Sequence, residues 1–295
     1  MNPTIKAATE QFIKVHKLPP NYIVTVEQWF LPLAESLLQK IAVHQGTFVL
    51  GISGCQGSGK STLAELMVMM LEQLMGLRCI NLSIDDFYLT RDERERLSKE
   101  VHPLLMTRGV PGTHDVDLAK KTIETLKGSG PVAIPRFDKA MDDRLDRQRW
   151  PSVLAPMDVI IVEGWCFGIG PQDNDQLLDP VNSLELNADE RGHWRRYVNQ
   201  SIRERYLDFY NLADYLLMLK APAFEKVYEW RQNQELKLAE QIKPGEDHKV
   251  MDDNALLRFI QHYERVTRHG LETLPAQADC VFELTDEQTI KSRLK

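Results

Sequence analysis

A chain of 295 residues, 43% hydrophobic and 27% charged, is long enough for one large α/β core with insertions. Its formal net charge of -7 carries no basic stripe of the kind nucleic-acid binders need, which excludes nucleic acid as a partner but leaves room for a small anion in a local basic pocket. The four cysteines, Cys55, Cys79, Cys166 and Cys280, lack CxxC or metal-ligand spacing, and no segment approaches the ~20 apolar residues of a membrane span, so a reduced, cytoplasmic protein without a membrane partner is expected.

In chain order, residues 1–45 read as helices. Phe12, Ile13 and Val15 precede a Leu18-Pro19-Pro20 break, and Trp29, Leu31, Leu33, Leu37, Leu38 and Ile41 follow at helical spacing. They predict an N-terminal helical appendage on a domain spanning 46–295. From Thr47 short apolar or β-branched runs alternate with amphipathic helices, the pattern of an α/β fold whose mostly parallel sheet has helices on both faces. Strands are predicted at 47–53, 78–83, 131–134, 158–163, 214–220 and 280–284, and helices at 61–75, 193–210, 223–241 and 252–270. The acidic, turn-rich stretch 169–190 is predicted as a surface loop.

Gly54-Cys55-Gln56-Gly57-Ser58-Gly59-Lys60-Ser61, followed by Thr62, matches G-x-x-x-x-G-K-[ST] between a predicted strand and a predicted helix, the context of a P-loop. Glycines let backbone N–H groups converge on phosphate oxygens, and the helix N-terminus adds its positive dipole end. Lys60 is placed to reach the β- and γ-phosphates of ATP, and the Ser61 hydroxyl to ligate Mg²⁺. Such a cradle establishes nucleotide binding only; GTPases, motor ATPases and kinases share it.

The neighbouring acids supply the chemistry. Strand 78–83 runs into Ser83-Ile84-Asp85-Asp86-Phe87-Tyr88, at the sheet edge where open α/β folds bind ligands. Asp85 is the candidate base for an attacking hydroxyl and a candidate metal neighbour; Asp86 and Tyr88 are candidate substrate contacts, with Asp86 equally readable as a turn cap. Strand 158–163 ends in Glu163-Gly164, where Glu163 is the candidate metal-side acid and Gly164 leaves space for a ligand. Arg108, Arg136, Lys139 and Arg144 cluster in loops and suit an acidic small substrate. His114 is either a pocket residue or a turn histidine bonded to Asp115, and Asp138 either binds a substrate hydroxyl or pairs with a nearby base. Arg231, on the predicted helix 223–241, is the candidate lid arginine for the transferred phosphate.

GISGCQGSGKSTL, LSIDDFYLT, RGVPGTHD, PRFDKAMDDR, VIIVEGWCFG and the WRQNQE helix, in that order over about residues 47–285, resemble the D-glycerate 3-kinase family, which is related to phosphoribulokinase, uridine kinase and bacterial pantothenate kinase. The resemblance implies a P-loop kinase that transfers the ATP γ-phosphate to the 3-hydroxyl of D-glycerate with Mg²⁺. It implies that Lys60 and Ser61 stand at the nucleotide and metal positions and Asp85 at the acid that activates the substrate hydroxyl. After PRFDK, plant-type members carry a longer glycine-containing stretch, where this chain has the shorter, acidic AMDDRLD. A pantothenate- or uridine-type kinase is the alternative, with Phe87, Tyr88 and Phe137 as an aromatic shelf. From a different class, a non-catalytic nucleotide-binding protein would use the same cradle but has no need of Asp85 and Glu163. Oligomeric state has no signature in the sequence.

Overall fold

The computed structural model describes residues 1–239, 251 and 253–295. Asn2 opens α1 (Pro3–Val15) by accepting the Ile5 N–H at 2.9 Å, with Pro3 at the first helical position. The helix stops ahead of Lys17, at φ 52°, and of Pro19-Pro20. A second helical run comprises α2 (Tyr22–Thr25), a π turn (Val26–Phe30) and α3 (Leu31–Val43). The widened turn ends two residues before Pro32, which has no N–H to continue the ladder. Phe12, Val26, Phe30, Leu33 and Leu37 from these helices share one buried cluster with Phe48, Leu50, Met67 and Phe282, so helices and sheet cover each other's apolar faces.

The remaining elements are β1 (Phe48–Gly54), α4 (Lys60–Met75), β2 (Cys79–Ser83), α5 (Arg91–Glu100), α6 (Val116–Lys127), β3 (Gly130–Ala133), β4 (Phe137–Asp138), β5 (Asp143–Arg144), β6 (Ser152–Ala155), β7 (Val159–Gly164), α7 (Ser183–Ala188), α8 (His193–Ser201), α9 (Leu207–Tyr210), β8 (Tyr215–Lys220), α10 (Phe224–Ala239), α11 (Asp253–Gln277), β9 (Cys280–Leu284) and β10 (Ile290–Arg293). Six strands form one sheet in the order β10-β9-β8-β1-β7-β2. All its pairings are parallel except β10 on β9. Because side chains alternate along a strand, Val49, Ile160 and Val162 enter the core on one face while Leu50, Ile52, Val159 and Ile161 enter the other. Helix α4 covers the second face, and α6, α8 and α9 the first. Burying each such side chain stabilises the fold by about 1.5–3 kcal/mol.

Three expectations are corrected. Segment 131–134 is not a strand of the main sheet; β3 pairs antiparallel with β6 in a separate two-stranded ribbon, and Pro131 is exposed there, where its missing N–H is harmless. Stretch 169–190 is not all surface loop: it contains a 3-10 turn (Asn174–Leu177) and α7, because Glu185 and Asp189 are drawn inward by buried arginines. Helices α5 and α6, and the short hairpin of β4 and β5, had no counterpart among the predicted elements. Of the helix expected over 223–241, the last two residues lie outside the described ones, as does the first residue of that expected over 252–270. No described helix is long and apolar enough to cross a membrane.

Candidate active site

The phosphate loop joins the buried strand β1 to α4. Gly57 and Gly59 take φ of +80° and +87°, in the left-handed region where a Cβ is strained. A Cβ on Gly57 would also lie 2.8 Å from Cβ of Trp230 on α10. The loop apex is tied from both sides: Gln288 donates to the Gly57 carbonyl at 2.8 Å, and the Trp230 indole donates to the Asp286 carbonyl at 2.7 Å. Cys55 lies buried within the loop, its thiol pushed up to about 12 by burial, so it is an inert packing group.

Ser61, in the first turn of α4, donates its hydroxyl to Glu163 Oε1 at 2.9 Å, and Lys60 Nζ stands 4.0 Å from Glu163 Oε2. Glu163 ends β7, buried, and Oε2 has no hydrogen-bond donor. A buried carboxylate oxygen left without a donor beside a serine hydroxyl suits a hard divalent cation such as Mg²⁺. Among the described residues no cluster of three or more His, Cys, Asp or Glu could cage a metal. That also suits Mg²⁺, which takes one or two protein ligands and completes its shell with phosphates and water. Gly164 is closed to ligand: a Cβ there would lie 2.6 Å from Ile84 Cγ2, so its missing side chain serves packing between β7 and the turn after β2.

Beyond β2 the chain turns into a 3-10 segment (Ile84–Phe87) capped by Ser83, whose Oγ accepts the Asp85 N–H at 3.3 Å. The turn sends its two carboxylates in different directions. Asp85 faces the phosphate loop, accepting the Tyr88 hydroxyl at 2.6 Å and Lys139 Nζ at 2.8 Å. Burial pushes its carboxyl up, but Lys139 and Lys60 outweigh this and, with the two bonds, hold it down to about 2. Asp86 faces away and anchors β4, accepting from Arg136 at 2.9 Å and from the Phe137 N–H at 3.1 Å. Burial still pushes the Asp86 carboxyl above its ordinary range.

A cleft of about 360 Å³ opens between these elements. Its walls bring together Gln56, Gly57, Gly59, Lys60, Ser61 and Thr62 with Asp85, Tyr88, Arg108, Lys139 and Arg231. Among the described residues, four lining cations, Lys60, Arg108, Lys139 and Arg231, face one lining acid, Asp85, in a chain of net charge -7. Gly54, Cys55, Ser58 and Glu163 are buried beneath or behind this lining. Other sequence candidates lie outside the lining. Arg136 holds Asp86; Arg144 bonds Asp115 at 3.1 Å and stands 3.6 Å from Glu93; Asp138 Oδ1 caps its own turn by accepting from Ala140 and Met141. His114 is fully buried and is bonded not to Asp115 but to the Tyr206 hydroxyl, 2.7 Å from Nδ1. Burial holds its imidazole down to about 4, hence neutral, and its ring packs 4.9 Å from that of Tyr88. Tyr206 closes the π turn Ile202–Tyr206, so a widened helical turn supports the wall behind Tyr88.

Sequence reasoning missed three lining residues: Trp165, Phe259 and Tyr263. Trp165 follows the Glu163-Gly164 signal directly, but Phe259 and Tyr263 are aromatics one turn apart on α11, indistinguishable in sequence from a helix's core stripe.

The phosphoribulokinase/uridine kinase family model matches residues 49–226, from β1 through α10's first turn, which takes in the phosphate loop, Asp85 and Glu163. The chain belongs to the phosphoribulokinase/uridine kinase family. It is similar to the kinase mug58 of Schizosaccharomyces pombe, 35% identical over 73% of this chain and 78% of that protein. It is also similar to the chloroplastic D-glycerate 3-kinase of Arabidopsis thaliana, 28% identical over 84% of this chain and 55% of that protein. Among solved structures, D-glycerate 3-kinase from Cryptococcus neoformans var. grubii superposes with a TM-score of 0.73 and 25% identity, covering 89% of this chain and 97% of that one. Phosphoribulokinase/uridine kinase family membership makes this chain an ATP-dependent small-molecule kinase on a P-loop fold.

Proposed function

We propose that the kinase phosphorylates a hydroxyl of a small acidic metabolite, D-glycerate, to give 3-phosphoglycerate. The observation that carries the reading is the cleft's excess of cations among the described residues: Lys60 and Arg231 suffice for a triphosphate tail, while Arg108 and Lys139, on loops separate from the phosphate loop, suit a second anion. The D-glycerate 3-kinases of A. thaliana and C. neoformans support it through their likeness to this chain.

In this reading Lys60 and the loop amides grip the β- and γ-phosphates, and Ser61 with Glu163 holds Mg²⁺, which when bound screens the phosphate charge. Asp85, ionised and aimed at the loop, accepts the proton that leaves the acceptor hydroxyl as its oxygen attacks the γ-phosphorus and the bond from that phosphorus to the β–γ bridging oxygen breaks, releasing ADP. Tyr88 and Lys139 fix the two oxygens of Asp85, so the carboxylate meets the hydroxyl in one orientation. Arg108 receives the acceptor's carboxylate, and Arg231 on α10 faces the phosphate in flight. A carboxylate held near 2 is a weak base, so its contribution comes from placement at the moment the proton becomes acidic rather than from proton affinity.

A second reading has its own observation. Tyr88, Trp165, Phe259 and Tyr263 give the cleft aromatic walls that a nucleoside base could stack on. The two readings separate in a coupled ADP-release assay on D-glycerate, L-glycerate, pantothenate, uridine and glycerol. D-glycerate should show the highest kcat/KM; a preference for uridine or glycerol overturns the acidic-acceptor reading.

A further inference from the structure

Arg108 is held from three directions by three distant parts of the chain. Its carbonyl accepts the Tyr263 hydroxyl of α11 at 2.8 Å, and the Gly109 carbonyl accepts the Trp165 indole N–H at 2.8 Å. Gly109, at φ +104°, permits this approach, since a Cβ there would lie 2.8 Å from the Tyr263 hydroxyl oxygen. The third hold is on the side chain: Nη1 bonds Asp142 Oδ1, and the guanidinium lies over the Phe137 ring, 5.5 Å from its centroid.

Asp142 sits at the tip of the β4–β5 hairpin, does not line the cleft, and has φ +59°, an uncommon conformation for a residue with a side chain. Arg94, on α5 and 1% exposed, keeps it there. Arg94 Nη2 donates to the Asp142 carbonyl at 2.6 Å and Nη1 to Asp142 Oδ2 at 3.2 Å, while the rest of its guanidinium bonds the Leu89 and Met106 carbonyls. Two arginines therefore share one aspartate. The local sum stays positive, so Asp142 can orient Arg108 without cancelling its pull on an anion. Among the described residues the Arg108 guanidinium bonds through Nη1, with Nη2 and Nε turned to no described acceptor.

We propose that Asp142, fixed by Arg94, is a positioning residue that aims the Arg108 guanidinium at the acid group of the phosphoryl acceptor. This rests on the reading that Arg108 receives the acceptor's carboxylate. An unrestrained arginine loses rotamer freedom when it grips a carboxylate; one already held loses less, and the saving appears as a lower acceptor KM. Asp142 bonds Arg94 and Arg108 and does not line the cleft, so the KM for ATP is expected to stay unchanged.

The test uses the full-length enzyme with whichever acceptor of the five-compound panel wild type turns over best. Asp142→Asn keeps the size and one acceptor atom but removes the charge. It should raise acceptor KM about tenfold, the scale of one charge-assisted hydrogen bond, with kcat and the KM for ATP within about twofold of wild type. Arg108→Ala should raise acceptor KM more, and adding Asp142→Asn to it should change nothing further, since both act through one guanidinium. An unchanged acceptor KM in Asp142→Asn overturns the positioning role, as does an undiminished effect in the Arg108→Ala background. If Arg108→Ala itself leaves acceptor KM unchanged, the carboxylate contact fails and the positioning role falls with it. If D-glycerate is not turned over but L-glycerate or pantothenate is, the substrate identity fails alone and the pair is judged on that acid; if the enzyme turns over uridine or glycerol instead, the positioning role falls with the acidic-acceptor reading. A denaturant midpoint for each variant separates these outcomes from partial unfolding: a purely structural Asp142 would lower the midpoint and leave the folded fraction's KM intact.

Discussion

Two regions of this kinase pair arginine with acid and put the pairing to different uses. Behind the sheet, Arg265 meets Glu185 through two nitrogens at 2.6 and 2.7 Å, and Arg195 meets Asp189 at 3.0 Å. Arg265 and Arg195 are 5% and 2% exposed, and every guanidinium nitrogen has a protein partner, including the Leu177, Leu178, Gln176 and Asp179 carbonyls. In the cleft, Arg108 is 27% and Lys139 61% exposed, and among the described residues each carries one acidic partner. Saturated donors staple the 169–190 segment to α8 and α11; unsaturated ones remain available to a ligand. Charge identity is the same in both places, and the count of satisfied donors tells them apart.

That contrast can be broken by mutation. The largest effect belongs to Asp85→Asn, which should cut kcat by about 10²–10⁴-fold, as for a lost general base, while the denaturant midpoint and ATP affinity stay near wild type; single-turnover kinetics and calorimetric ATP titration measure both. Next is Arg265→Met, which leaves Glu185 buried and unpaired and should cost about 3–5 kcal/mol in a urea unfolding experiment, with kcat per folded molecule unchanged. A catalytic loss without a stability loss there would erase the distinction between the regions.

Lys139→Met sharpens it further. Burial pushes the Asp85 carboxyl up and Lys139 is the largest force holding it down to about 2, so without Lys139 the folded-state value rises. In the proposed mechanism activity requires the ionised form. In the variant the acid limb of kcat/KM should therefore move to higher pH, with activity falling as pH drops through a range in which wild type still works; superimposable profiles would dissociate Lys139 from Asp85. Smallest is Arg91→Ala, which removes an exposed i,i+4 pair with Glu95 at 3.3 Å and should shift unfolding free energy by less than about 0.5 kcal/mol.

Most of the sheet was legible in the residues because β1, β7 and β8 are apolar on both faces and stand next to one another at its centre. Helix α5 was legible too and went unread: Thr90 and Glu93 form a capping box, visible as T-x-x-E. Helix α6 likewise shows Val116, Ala119, Ile123 and Leu126 on one stripe behind the Asp115 cap. Membership of the cleft was harder. Lys60, Ser61 and Asp85 announce themselves by fixed spacing from strand ends, whereas Arg108, Arg136 and Arg144 look alike in sequence. Only the first lines the cleft, because Asp86, Asp115 and Glu93 claim the other two, and that choice depends on contacts made 29–51 residues apart along the chain. Tyr263 acts on Arg108 across 155 residues, beyond the reach of any local pattern.

The bond from Gln288 to the Gly57 carbonyl joins residues 231 apart. Protein synthesis runs from the first residue to the last, so the loop at Gly57 leaves the ribosome long before the hairpin that braces it exists. A growing chain thus carries a recognisable P-loop with an untethered apex, and its hold on nucleotide should tighten only once Gln288 has been translated and docked. The brace on the phosphate loop is in that sense a late event of biosynthesis, completed when nearly all of the sheet has been made.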